Sequence, residues 1–251
     1  GEFRGIDNYK QVFENKAFWL AAGNTAKFVL VCLPLLIGLG LIIACFLSRF
    51  TRVHFLKSAF LFPMAVPAAT VVLVWKLIFD RQGFLNLFLT RLGEAAYSAG
   101  VLQSAPVFDI DYMGTGAAFW VLVFSYIWKN LGYTVVLWLT GILSISTQIR
   151  EAARVDGAGE FTCFVRIIMP NLKPVLYTIT VLSFLNTFKA FREAYLVAGS
   201  YPDESMYLLQ HLFNNWFTNL DFDKMAAAAV ILGFILFAAI LLLQKLWDEG
   251  E

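Results

Sequence analysis

Apolar residues gather into five runs at 22–47, 60–79, 116–143, 175–196 and 225–247. Each is long enough to cross about 30 Å of hydrocarbon as a helix. The pattern predicts an all-α integral membrane protein, a polytopic bundle with five spans in one domain over residues 1–251. Pro63 and Pro67 stand at the start of the second run and predict a kink there, because each removes a backbone donor. Such a break survives in hydrocarbon only where neighbouring helices or a cavity satisfy the freed groups. Bounded by Arg81-Gln82 and Arg91-Leu92, the apolar cluster Phe84, Leu85, Leu87, Phe88 and Leu92 predicts a helix lying on the outer interface. Residues 97–115, punctuated by Gly100, Pro106 and Gly114, read as a loop, and 207–222 as a short outer helix before the last span.

Loop charges set the orientation. Residues 48–59 hold Arg49, Arg52 and Lys57, and 147–174 hold Arg150, Arg154, Arg166 and Lys173. The longer segment 80–115 has only Arg81 and Arg91, and 197–224 only Lys224. The positive-inside rule therefore places 147–173 and the C-terminus in the cytoplasm and residues 1–21 outside, although Arg4, Lys10 and Lys16 run against the last assignment.

The segment 147–173 is polar and ordered in a way that rule does not require. Gln148 to Val155 holds good helix formers without a breaker, so a short helix is expected. Gly157 and Gly159 permit a sharp turn, 160–168 a second helix, and Pro170 and Pro174 its end before the next span. Ala152 and Ala153 allow another surface to approach closely, while Glu151, Arg154 and Asp156 offer directional polar contacts. This is the pattern of a rigid docking hairpin; an ordinary cytoplasmic loop is the plainer alternative.

Composition agrees with the membrane assignment. Hydrophobic residues make up 59% and charged ones 15%, against roughly 45–50% and about 25% in soluble domains, and mean hydropathy is +0.69. A net charge of +1 gives no general attraction to nucleic acid. Cys32, Cys45 and Cys163 form neither a disulfide framework nor a metal-ligand spacing. His54 and His211 lack ligand-spaced companions and are expected at the surface. No phosphate-cradling Gly-rich loop with Lys and Ser/Thr occurs, so ATP is not expected on this chain. No Ser/His/Asp or paired-carboxylate arrangement sits on a span, so catalytic residues are read as none, and an enzyme has no chemistry to use. The chain opens at Gly1 without a basic n-region, so no signal peptide is read.

Polar residues inside the runs are the candidate path. Ser183, Thr187 and Ala190 share one helical face, with Asn186 nearby. Polar groups at this depth face a bundle interior or a water-filled cavity, or join helices to one another; residue type alone leaves both open. In the third run, Trp128, Lys129, Asn130 and Gly132 would suit a sugar, with a ring to stack its C–H face and an amide for its hydroxyls. Lys129 reads equally as a snorkelling or paired cation, and Trp128 as packing. Lys189, Arg192 and Glu193 read as a gate or docking rim.

Glu151-Ala152-Ala153, Asp156-Gly157-Ala158, Phe164, Ile167, Pro170 and Pro174 together resemble the signature (EAA) loop of ABC-importer permease subunits, in the carbohydrate-uptake variant. Asn8-Tyr9, Phe18-Trp19, Asn24-Thr25, Phe62-Pro63, Pro67, Trp128-Lys129-Asn130, Gly132-Tyr133, Gly141-Ile142-Leu143 and 226–229 extend the resemblance over nearly the whole chain. Ser146-Thr147 departs where Ile-Pro is usual, and Gly199-Ser200-Tyr201-Pro202 where a Gly-Gly-Gly-Pro-like turn is common. The resemblance implies a six-helix core, of which the first helix would be missing here, in a bacterial cytoplasmic (inner) membrane. It implies that Glu151, Ala152, Ala153, Arg154, Asp156 and Gly157 couple to a dimeric cytoplasmic ATPase that binds ATP and Mg; this chain itself would hold no cofactor and no metal. It implies a second permease subunit, an extracytoplasmic sugar-binding protein and surrounding membrane lipid as partners, and no nucleic acid. Substrate-facing roles follow for Ser183, Asn186, Thr187, Asn130, Gly132 and Trp128, with Ala190 lacking the polar group expected at its place. A polyol, sugar phosphate or other small solute is the alternative cargo; a membrane assembly factor with a docking loop is the alternative class.

Overall fold

The computed structural model describes residues 6–50, 53–188 and 190–248, with some side chains within them left undescribed. Among these residues the secondary structure is helical. A short α1 (Asp7–Glu14) precedes α2 (Lys16–Leu47), whose 32 residues extend about 1.5 Å each, ample to cross a bilayer. Helix α2 begins six residues before the apolar run does, with Lys16 to Ala21 continuing the helix outside the run. Pro34 lies inside it.

The second run is two helices, α3 (Val53–Ala65) and α4 (Ala68–Phe79), as the proline pair predicts. Pro67 caps α4 with φ −58° and ψ 140°, an extended conformation that no helix can run through. Pro63 is absorbed within α3, so only one of the two prolines breaks the span. The expected outer helix is α5 (Phe84–Ser98), followed by a loop and then α6 (Ala118–Ser144). Phe84, Leu87, Phe88 and Leu92 of α5 are exposed, while Asn86 and Gly93 face inward.

The polar hairpin begins with α7 (Thr147–Val155) and α8 (Glu160–Cys163). A single π-type turn over Phe164–Ile168 then leads into α9 (Met169–Asn171) and α10 (Lys173–Thr187). The helix ends between the two prolines, as expected: Glu160–Asn171 and α10 meet at a 64° bend around Leu172. Ahead of the bend the Met169 N–H skips back to the Phe164 carbonyl, an extra residue in the turn that accommodates Pro170, whose ring cannot donate. The fourth run is also two pieces, α10 and α11 (Phe191–Ala198). Then come α12 (Leu209–Thr218) and α13 (Phe222–Asp248). Three helices are long and apolar enough to cross a membrane, or up to five if each bent pair counts as one span.

The chain folds as two units, each assembled from separate stretches of sequence. The first comprises Gly1–Phe28, Val66–Ser125 and Phe188–Ala238, and the second Val29–Ala65, Tyr126–Thr187 and Ala239–Glu251. The first has a core of Val12, Phe18, Ala21, Leu212, Trp216 and Ala228. Its loop 199–208 is tied down by side chains. Asn24 donates to the carbonyls of Glu204 (2.5 Å) and Tyr207 (3.1 Å), Thr25 accepts from the Leu209 N–H at 3.0 Å, and Asn215 donates to the Ser200 carbonyl at 3.0 Å. The Asn24-Thr25 pair therefore clamps a segment about 180 residues away in sequence. The second unit has its core at Ala44, Leu47, Val135, Trp138, Leu139 and Ile179, with Trp138 Nε1 donating to the Ile37 carbonyl at 3.1 Å.

Candidate coupling hairpin and translocation-path residues

Helix α7 ends in a defined cap. Asp156 N–H donates to the Ala152 carbonyl at 3.0 Å, and Ala158 N–H reaches back to the Ala153 carbonyl at 2.9 Å. Between them Gly157 has φ +81°. A six-to-one bond around a left-handed glycine is the Schellman arrangement, and it explains Asp-Gly-Ala at this place: glycine alone enters that conformation without a Cβ penalty. Gly159 is extended and starts α8. The hairpin turn is thus set by hydrogen bonds and backbone geometry within its own sequence.

The hairpin's side chains divide by face. Ala153 is buried and Cys163 with it, while Glu151, Ala152, Asp156 and Gly157 are exposed. The Arg154 side chain lies outside what the structure describes. Val155 (87% exposed) and Phe161 (80%) stand nearly free of the chain on either side of the turn. Two large apolar groups left in water cost roughly 1.5–3 kcal/mol each relative to burial, which a partner surface would recover. The sequence pattern draws the eye to the small and charged residues; Val155 and Phe161 stand out only once exposure is known.

Of the path candidates in the second unit, Ser183 and Asn186 meet at one side chain, Tyr133. Ser183 is fully buried and its Oγ lies 2.5 Å from the Tyr133 hydroxyl, which also hydrogen-bonds the Asn186 side chain. The Tyr126 hydroxyl donates to the Ser183 carbonyl at 3.4 Å. Thr187 is buried and donates to the Phe184 carbonyl at 2.6 Å. Asn130 donates to the Tyr126 carbonyl at 2.9 Å, and Trp128 is 37% exposed. Tyr126 and Tyr133 gather this cluster, yet residue type alone does not single them out. Their seven-residue spacing on one helix face is the available signal. Gly132 has a packing reason of its own: a Cβ there would lie 1.8 Å from the Phe60 carbonyl oxygen of α3, so the two backbones touch.

His211 corrects the surface expectation. It is fully buried, its Nδ1 accepts from the Leu208 N–H at 3.1 Å, and its ring lies between Tyr207 and Phe191. Burial disfavours the imidazolium and lowers the pKa from 6.5 to about 4. The neutral ring therefore carries its proton on Nε2, which has no partner among the described residues. The His54 and Glu193 side chains, and Lys189, lie outside the described residues; Arg192 is exposed. Among the described residues no group of three His, Cys, Asp or Glu is arranged to hold a metal.

Apolar helices long enough to cross a membrane, with a capped and exposed hairpin between α6 and α10, define a polytopic helical membrane protein. More particularly, the chain belongs to the family described as binding-protein-dependent transport system inner membrane component, whose model matches residues 36–248. It is 30% identical over 237 residues to the trehalose/maltose transport system permease protein MalF of Thermococcus litoralis, covering 93% of this chain and 76% of that one. It is 28% identical over 242 residues to the sn-glycerol-3-phosphate transport system permease protein UgpA of Yersinia pestis, covering 92% and 75%. Among solved structures, the fold matches a bacterial ABC transporter involved in the import of the acidic polysaccharide alginate. The TM-score is 0.77 at 18% identity, over 98% of this chain and 84% of that one. The protein is accordingly an ABC-importer permease subunit that works with a binding protein, and its relatives are named as transport permeases rather than enzymes.

Proposed function

We propose that this permease imports a neutral sugar, forms half of a path completed by a second permease chain, and takes its motion from a separate ATPase dimer seated on residues 147–173. The observation that carries the coupling role is the capped hairpin with Val155 and Phe161 both standing exposed. A lever must be stiff to transmit force, and the Gly157 turn supplies that stiffness. Glu151, Arg154 and Asp156 would add polar contacts around the two apolar knobs. The relative named for trehalose/maltose supports the sugar class.

On this reading Ser183, Asn186 and Thr187, with Asn130, Gly132 and Trp128 on α6, form the substrate-facing set. Ser183 and Thr187 are buried here, so a sugar reaches them only after α6 and α10 part, exchanging the Tyr133–Ser183 bond for bonds to its own hydroxyls. That is the behaviour alternating access requires. The family's description supports localisation in the inner membrane, and the charge asymmetry of the loops supports a cytoplasmic hairpin and C-terminus.

Single cysteines at Val155 and Phe161, in a background lacking Cys32, Cys45 and Cys163, test the coupling. They should cross-link to the ATPase during turnover, and failure at both sites would refute the docking. Reconstituted with its partners, the complex should hydrolyse ATP faster when loaded binding protein is added and should accumulate labelled sugar. A sugar phosphate is the second reading. It is favoured by the relative named for sn-glycerol-3-phosphate and by Lys27, an exposed cation within α2 whose Nζ lies 4.2 Å from the Phe119 ring centroid. Competition of unlabelled sugars and sugar phosphates for uptake separates the two.

A further inference from the structure

A cavity of about 990 Å³ opens in the second unit, between the last turns of α2 and the start of the hairpin's second arm. Its volume is at the upper end of small-molecule sites, which run about 300–1,000 Å³. Leu41, Ile42, Phe46, Ile142, Phe164 and Ile168 make most of its wall. At one end stand Ser48, Arg49 and Glu160, with Arg49 Nη2 donating to Glu160 Oε2 at 3.3 Å. Among the described residues, the cavity is thus apolar along its length and carries Arg49 and Glu160 side by side at its mouth. Both charged side chains remain about three-quarters exposed, at 74% and 72%.

We propose that this cavity is a binding site for a phospholipid with a primary-amine head group, of the phosphatidylethanolamine type. Arg49 follows directly on a membrane-spanning helix, at the depth where head groups lie, and the apolar wall continues from it into the span. A guanidinium takes a phosphate through paired N–H donors, and the Glu160 carboxylate accepts from the ammonium. The Arg49–Glu160 pair does not resist this exchange: an exposed ion pair contributes only about 0–1 kcal/mol, and each partner regains a charged contact from the lipid. The same two charges select among lipids. An anionic head group such as phosphatidylglycerol offers Glu160 only neutral hydroxyl donors and sets an uncompensated negative charge beside it. A choline head group presents methyl groups where the carboxylate needs N–H donors. The bound lipid would bridge the end of α2 to the first residue of α8, holding the hairpin's second arm against the membrane-spanning helix. The proposal rests on the reading of 147–173 as the coupling hairpin only in placing the site at the inner leaflet.

The test uses the purified permease–ATPase complex, stripped in mild detergent and offered dioleoyl phosphatidylethanolamine, phosphatidylglycerol or phosphatidylcholine. Lipid retained per complex is counted by mass spectrometry. Expected is retention of the ethanolamine lipid over the other two. Arg49→Gln lowers retention of all three about tenfold, as loss of one charge-assisted contact predicts. Glu160→Gln abolishes the preference and raises the glycerol lipid. Cys45→Trp, which narrows the apolar part and leaves both charges, lowers retention without changing head-group preference. Equal retention of the three lipids by the wild-type complex overturns the proposal, whatever the variants do. So does a helix of the second permease chain filling the cavity in a structure of the complex. Because lipid counting does not depend on hairpin cross-linking, failure of ATPase docking and failure of lipid binding are read separately.

Discussion

Gly132→Ala is the most direct probe of how α6 and α3 meet. The added Cβ would stand 1.8 Å from the Phe60 carbonyl oxygen, 2.6 Å from its carbon and 3.3 Å from the Leu61 nitrogen, all backbone atoms. Ordinary van der Waals contact begins near 3.4 Å, so the two helices must separate by about 1.6 Å. A flexible side chain could swing aside, but a helix backbone moves only with everything packed on it. Overpacking in a dense core costs about 1–3 kcal/mol, and this obstacle puts the change at or above the upper figure. Gly38→Ala on α2 is the control: nothing lies within 4 Å of its Cβ position, and replacing a mid-helix glycine gains up to about 1 kcal/mol. Apparent unfolding temperatures of the purified complex at one scan rate should therefore move in opposite directions. The expected fall for Gly132→Ala is at least roughly 6–12 °C, from about 2–4 °C per kcal/mol at this size. Unchanged stability of Gly132→Ala, or an equal loss in Gly38→Ala, would refute the packing argument. The KM for uptake adds a second axis: a pure packing role leaves KM alone, whereas a path role raises it.

Further outcomes follow from the hairpin, the polar cluster and the buried histidine. Phe161→Asp should cut transport at least tenfold and leave binding-protein docking intact, because it replaces an apolar knob with a charge that must be desolvated on contact, at several kcal/mol; uptake and ATPase stimulation measured together check it. Tyr133→Phe removes the hydroxyl shared with Ser183 and Asn186 and should lower stability by about 1 kcal/mol, read as a drop in unfolding temperature, while Ser183→Ala in addition should cost little more. For His211 the folded pKa, about 4, lies below the unfolded 6.5, so the unfolded chain binds the proton first. Stability is then full above about pH 6.5 and declines as pH falls toward 4, by about 3 kcal/mol in all; His211→Asn, which keeps an acceptor for the Leu208 N–H, should flatten unfolding temperature against pH over that interval.

The sequence by itself determined the membrane class, the helices α5 and α12, a break at the Pro63/Pro67 pair and the hairpin. These are local constraints. Crossing hydrocarbon needs about 20 apolar residues in succession, a proline withholds its donor wherever it stands, and Asp-Gly-Ala after a helix closes its own cap. Only the tertiary structure decided the rest. Nothing local ends the fourth run after Thr187, since no proline or glycine occurs until Gly199. There the Phe188 carbonyl is taken at 2.8 Å by the side chain of Gln210, 22 residues further on. Of the substrate-path candidates, Ser183 and Asn186 met through Tyr133, which is 50 residues from Ser183. Gly132 acquired its reason from Phe60, and His211 became buried because Tyr207, Phe191 and the Leu208 N–H close around it. Periodicity reports which face of a helix is apolar; which backbone or side chain arrives at that face depends on residues far along the chain.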